Sequence, residues 1–246
     1  MPHNVDPAID LYIGHFRKLV ARLRNYELHV EDRLIKKNAL VSVLDAISRT
    51  TSNALDDNRK RFVDIVSNFG DWHDHTRVSA PHISYVLERL RSPSFGQVRE
   101  FIAQKIHENS HGGVIPLSCD PEFEEIREIW PVPAEQKVVG RLSLTFFTHL
   151  NLFYQYRNSL VHELREPGYG MEFDVTEEEP FYHGMIADDR SSSMRSQTLE
   201  LVYPINFYFR LTENVISNVE RYLRTNSIDP YGAYSFGSSW LGELNT

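Results

Sequence analysis

A chain of 246 residues with a 41% apolar fraction can form one large domain, and its 14 Phe, 12 Tyr and 3 Trp supply ample core material. A net charge of −8 excludes a protein that coats nucleic acid through bulk attraction, and no apolar run approaches the roughly 20 residues of a membrane span. The single cysteine, Cys119, excludes an internal disulfide, and the start Met-Pro-His-Asn-Val-Asp has neither the basic nor the apolar segment of a signal peptide, so a reducing cytoplasm is expected.

The charge is unevenly placed. Up to Arg61 basic residues outnumber acidic ones, with clusters at Arg17-Lys18, Arg22/Arg24, Lys36-Lys37 and Arg59-Lys60-Arg61. The acid excess lies around Glu122 to Glu128 and Glu172 to Asp189. Such runs are ordinarily two solvated faces; the functional alternative is a local basic groove that binds nucleic acid selectively.

Asp6 as N-cap and Pro7 at the first helical position predict a first helix, with Ile9, Tyr12, Phe16, Leu19, Leu23 and Tyr26 on one face. A second helix over roughly Glu31 to Arg49 would bury Leu34, Val41, Leu44 and Ile47. Asp57 would cap a third, carrying Phe62, Ile65, Val66 and Phe69 and stopped by Gly70 in the C′ position. After Asp71-Trp72-His73-Asp74-His75, Ser79 starts a short helix with Ile83, Val86, Leu87 and Leu90, and Ser94 with Gln97 reads as a capping box for another, ended by Gly112-Gly113. Asp120-Pro121 reads as N-cap and N1 proline of an acidic helix terminated by Pro131 and Pro133. A long helix is predicted from about Ala134 to Leu164.

Met171 to Val175 and Phe181 to Met185 would then form a hairpin around an acidic Thr-Glu-Glu-Glu-Pro tip, and Asp188 to Gln197 a mobile loop. Pro204 to Arg224 predicts a last helix, and the aromatic tail from Asp229 to Thr246 (Tyr231, Tyr234, Phe236, Trp240) an arm packed over the domain. The expected architecture is mainly α: a single multi-helix bundle over residues 1–246, with a small hairpin and loop insertion over 166–203.

The chemistry gathers at Gln155-Tyr156-Arg157-Asn158-Ser159-Leu160-Val161-His162-Glu163. At about 100° per residue, Arg157 falls inside the apolar stripe of Leu142, Phe146, Leu150, Phe153, Leu160 and Leu164. A guanidinium there must find a partner, reach water or serve a purpose; its planar fork suits phosphate oxygens. His162, four residues after Asn158, can move a proton near neutral pH. RNA supplies its own 2′-hydroxyl nucleophile, so base, acid and cation suffice for cleavage without a metal. Arg157 and His162 are however about 140° apart around the helix. His162 shares a polar stripe with Asn151, Gln155 and Asn158. The plain alternative is an Arg holding a buried carbonyl or carboxylate, beside a surface His.

Arg157-Asn158-Ser159-Leu160-Val161-His162 resembles the Arg, four to six residues, His signature of the HEPN superfamily in its R-N-x-x-x-H form, and the preceding aromatics and Glu163 are also similar to that family. The resemblance implies a helical bundle with the motif near the end of a long helix. It also implies a metal-independent endoribonuclease of toxin–antitoxin or phage-defence type with no cofactor. Arg157 and His162 would be catalytic, Asn158 would orient, and Tyr154, Gln155, Tyr156 and Glu163 would contact substrate. Single-stranded or loop RNA would fit, its bases stacking on Tyr154 or Tyr156. The implied partners are RNA, a second copy of the chain lining one cleft, and an antitoxin or regulatory protein. Two alternatives stand beside this: a non-catalytic helical module for dimerisation or partner binding, and a bundle that binds a nucleotide through the same Arg.

Other candidates are weaker. His73 and His75 lack a third ligand at a diagnostic spacing, and His107, His111 and Cys119 fit no standard zinc pattern. Glu177-Glu178-Glu179 reads as a solvated tip. No phosphate-binding loop, dinucleotide fingerprint, G-x-S-x-G elbow or H-E-x-x-H helix occurs.

Overall fold

Caps and apolar spacing account for most of the helices. The computed structural model describes residues 5–26, 32–52, 56–90, 92–109, 113–172, 176–188 and 195–234. It is mainly helical with one small antiparallel sheet. Helix α1 (Asp6–Asn25) buries Ile9, Tyr12, Ile13, Phe16 and Val20. Val5 holds the N-cap position without a side-chain bond, so Asp6 is a first-turn acid rather than the predicted cap. Helix α2 (Asp32–Ser48) buries Leu40, Val41, Val43, Leu44 and Ile47 and, on the same stripe as Leu34 and Val41, the charged Lys37. Helix α3 (Asn58–Phe69) is capped as predicted, Asp57 accepting from the Lys60 N–H at 2.7 Å.

Gly70 ends α3, but with right-handed φ of −83°; the left-handed residue is Asp71, at φ 50°. The glycine is needed for space instead. A Cβ on it would lie 2.5 Å from the Val66 carbonyl oxygen and 2.6 Å from Leu211 Cδ1.

Helix α4 (Ala80–Arg89) is capped by Ser79, as predicted. Helix α5 (Gly96–Asn109) starts at Gly96, so Ser94 lies in the preceding 3-10 turn, where its hydroxyl meets that of Ser92 at 2.8 Å instead of forming the expected capping box. Helix α6 (Phe123–Ile129) is capped by a Glu122/Glu125 box, not by Asp120. Helix α7 (His149–Glu163) replaces the long predicted helix. Pro131 and Pro133 keep the entry irregular, a 3-10 turn occupies Leu144–Phe147, and Thr148 caps α7 by accepting from the Asn151 N–H. Leu164 is consequently not part of its stripe; it terminates the helix in the left-handed region at φ 51°.

The hairpin also differs from expectation. Strand β2 (Phe181–Asp188) pairs with β3 (Arg195–Val202), with Phe181 opposite Val202 and His183 opposite Glu200, and β1 (Val114–Pro116) pairs with the other side of β2. Residues 195–197 are therefore strand, not loop, and the acidic run precedes β2 instead of tipping a hairpin. Residues 173–175 and 189–194 of the two predictions lie outside the described residues. Helix α8 (Ile205–Thr225) closes the order, followed by a 3-10 turn at Pro230–Ala233.

The chain clusters into two compact units, one drawn from 1–30, 39–71 and 209–246, the other from 31–38 and 72–208. The first buries the apolar faces of α1, α3 and the later part of α8. In its tail, Tyr231 meets Tyr12 edge-on at 5.6 Å, and Tyr234 donates to the Ala46 carbonyl at 2.9 Å. Phe236 and Trp240 lie outside the described residues. The second unit has an apolar cluster that includes Ile83, Phe95, Ile102, Ile126, Trp130 and Phe147. It also holds an aromatic cluster in which Trp72, Phe153, Tyr203 and Phe207 meet at 5.0 to 6.1 Å.

Replacing Gly70 by Ala must displace backbone or Leu211, so Gly70→Ala is expected to lower unfolding free energy by about 1–3 kcal/mol in chemical denaturation, with the denaturant slope unchanged.

Candidate functional site

The motif occupies the last two turns of α7. The buried face of this helix consists of His149, Leu150, Leu152, Phe153, Tyr156 and Leu160. Arg157 lies on its flank, half-buried, so the guanidinium is not sunk in the stripe as its spacing suggested. Arg157 donates to Asn158 Oδ1 at 3.1 Å, and its Cζ lies 5.9 Å from the Tyr154 ring centroid. Asn158, Tyr154 and Gln155 are half-buried, and His162 and Glu163 are exposed. Glu163 pairs with Arg165 at 2.5 Å.

Tyr156 is placed in the core, 4% exposed, and burial, helped by neighbouring Tyr208 and Glu166, holds its phenol well above the ordinary range. Tyr154 is thus the accessible aromatic of the two. Arg157, Asn158 and Tyr154 are brought together; His162 points about 140° around the helix from Arg157 and does not join them.

Arg17 and Arg24 line an open groove on the first unit, but Glu213, Val20 and Ile216 share it, so its lining is mixed rather than basic, and the cations are paired. Arg17 pairs with Glu220 at 2.6 Å, Arg24 with Glu213 at 2.8 Å and Lys60 with Asp64 at 2.7 Å. Lys37 is fully buried. Among the described residues no group of three or more His, Cys, Asp or Glu could hold a metal; His111 lies outside them. His75 Nδ1 lies 2.5 Å from the Trp72 carbonyl in a 3-10 turn.

Two polar constellations escaped the sequence reading. The first is centred on Asp120. The extended segment 77–79 bonds to 147–149, with Ser79 N–H donating to Phe147 O at 2.9 Å and His149 N–H to Arg77 O at 3.0 Å, which places Ser79 beside His149. Asp120 Oδ2 accepts from His149 Nε2 at 2.8 Å and from the Tyr182 hydroxyl at 2.6 Å, while Oδ1 accepts from the Ala80 N–H at 3.0 Å. The Tyr182 hydroxyl also reaches Ser79 Oγ at 2.7 Å, sharing its one proton. Ser79 then has its own proton left for His82 Nδ1, 2.7 Å away. Burial pushes Tyr182 well above, and His82 down to about 4, with His149 adding to the latter shift and Asp120 opposing it. A neutral His82 ring is what can accept from Ser79.

Ser, His and Asp are all present, yet no nucleophile results. Ser79 contacts one histidine and Asp120 the other, and Ser79, at 0% exposure, is closed to any substrate. The sequence signal for Asp120 was its N-cap propensity, which pointed to the wrong helix.

The second constellation surrounds Lys37. Its ammonium pairs with Glu166 at 2.6 Å and with Glu172, and Arg33 lies 3.5 Å from Glu172. Neighbouring Asn38 donates to the Leu160 carbonyl at 2.9 Å. Its signal was a lysine on the apolar stripe of α2, between Leu34 and Val41.

Among known proteins, no family model, no curated protein and no solved structure matches this chain.

Asp120→Ala leaves the buried His149 and Tyr182 donors without their shared acceptor and is expected to cost about 3 kcal/mol or more in urea unfolding. For His82, whose folded pKa is about 4 against 6.5 for the ordinary ring, the unfolded chain binds the extra proton. Its contribution to stability is therefore complete above pH 6.5 and is lost as pH falls toward 4. Unfolding curves over that interval should show a shallower pH slope for His82→Gln than for the wild type.

Proposed function

We propose that this protein is a metal-independent endoribonuclease of HEPN type, working as a homodimer on single-stranded or loop RNA. The observation that carries the reading is that half-buried Arg157 and exposed His162 both lie on the last two turns of α7, with Asn158 against the guanidinium. Each element of the reaction then has a candidate. His162 takes the proton of the RNA 2′-hydroxyl as its oxygen attacks the adjacent phosphorus, and the imidazolium so formed returns that proton to the 5′-oxygen as the P–O5′ bond breaks. Arg157 offers a planar pair of donors to the phosphorane oxygens. Asn158 orients the guanidinium. Tyr154 provides the stacking face for a splayed base, and Gln155 and Glu163 are the flanking polar contacts.

The wide angle between Arg157 and His162 supports a shared site. A two-fold interface at the α7 end brings Arg157 of one chain toward His162 of the other, so that a monomer holds half of each site. In a toxin–antitoxin or defence setting, an antitoxin or regulatory protein covering this helix end would silence both halves.

Incubation with structured RNA in EDTA should give cleavage with 2′,3′-cyclic phosphate and 5′-hydroxyl ends, reduced about 100-fold or more in His162→Ala. Mixing Arg157→Ala with His162→Ala chains should restore about a quarter of wild-type activity, since half the dimers then carry one intact composite site. No cleavage by the wild type over a range of RNAs, or undiminished cleavage by His162→Ala, overturns the nuclease reading. A mixture that stays inactive beside an active wild type overturns the shared site alone.

A further inference from the structure

The end of α7 has two anchors that the reaction itself does not use. A helix C-terminus leaves its last carbonyls without intrahelical donors and tends to fray. In α7 the Leu160 carbonyl receives the Asn38 side chain at 2.9 Å, and the Ser159 carbonyl receives the Leu164 N–H as the chain turns into the left-handed region. Two residues later Glu166 bonds to the Lys37 ammonium at 2.6 Å, and Lys37 also holds Glu172. Glu172 in turn accepts from the Ile205 N–H, at the first residue of α8, at 3.2 Å. One fully buried lysine and its neighbour on α2 therefore clamp the chain on both sides of His162.

His162 is exposed, so its own side chain contributes no packing that would fix its position. The clamp is also expensive as a mere stabiliser. Buried charges lose hydration, and apolar or neutral groups of similar volume commonly serve stability as well or better.

We propose that Lys37, with Asn38, is the positioning residue of the α7 half-site, holding the last turn so that His162 is presented in one geometry. This rests on the nuclease reading of that turn. Lys37 touches no reacting atom; it acts through Glu166 and the backbone. A displacement of about 1 Å in a catalytic group can cost on the order of 100-fold in rate, so the clamp's effect should appear in kcat rather than in KM.

The test compares the wild type with Lys37→Met and with the neutral triple variant Lys37→Met/Glu166→Gln/Glu172→Gln. Lys37→Met leaves Glu166 without its cation and Glu172 with Arg33 alone, 3.5 Å away, and should be strongly destabilised. The triple variant removes both charge signs and should fold with near wild-type stability. In it, amide hydrogen exchange of residues 161–165 should accelerate about tenfold or more relative to the rest of the chain, and kcat should fall about tenfold or more with KM nearly unchanged. A merely structural clamp would return activity together with stability. Unchanged exchange at 161–165, or a triple variant with wild-type kcat, overturns the positioning role. A triple variant that fails to fold overturns it as well, since the clamp is then a requirement of the fold. If the wild type cleaves no RNA, the nuclease reading falls, while the exchange measurement still decides whether Lys37 anchors the turn.

Discussion

One carboxylate gathers three separate stretches of the second unit. Asp120 takes a backbone N–H from the start of α4, an imidazole N–H from the start of α7 and a phenol O–H from β2, and its own carbonyl accepts from Arg77 at 2.6 Å. A buried carboxylate is tolerable only when its lone pairs are met by donors, and here each donor comes from a different element. The placement at the N-terminus of α4 adds the favourable end of that helix's dipole. Unlike the apolar contacts around it, this arrangement has direction: sliding α7 or β2 by one residue would remove a donor and leave a charge buried without a partner.

The two buried polar groups stand at opposite ends of the same helix. His149, the first residue of α7, answers to Asp120; Leu160 and the chain leaving the last turn answer to Asn38 and Lys37. Between them the aromatic face of α7 packs through Phe153 and Tyr156. A helix of 15 residues held at both ends and along one face is rigid, and its remaining surface carries Arg157 with Asn158 at one side and His162 about 140° round from Arg157. Rigid elements position reacting groups better than loops do.

Much of this was legible in the sequence where the deciding force was local. Asp57 and Ser79 cap the helices they precede, and α1, α3 and α8 follow their apolar spacing except at Tyr26 and Tyr222, which are exposed. The readings failed where a partner distant in sequence decided. Asp120 has the side chain of an N-cap, but it serves Ala80, 40 residues away, while Glu122 caps α6. Leu142, Phe146 and Leu150 keep helical spacing across a segment that is not helix, because prolines upstream and the Thr148 cap outweigh a repeat of three apolar residues. Strand β3 reads Arg-Ser-Gln-Thr-Leu-Glu-Leu-Val, whose polar half carries no alternation, so only its pairing with β2 reveals it. At the candidate site the residue types were visible, but the flank position of Arg157, the burial of Tyr156 and the clamp at Lys37 depend on neighbours brought in by the fold.

Leu164 ends α7 in a conformation that glycine or asparagine adopts readily, at φ 51°, and its side chain is 65% exposed. A branched residue in the left-handed region carries a penalty of about 1–2 kcal/mol, and an apolar side chain in water gains nothing from burial there. Selection for stability alone would not choose it. Glycine at position 164, in the turn immediately after His162, should therefore raise the melting temperature.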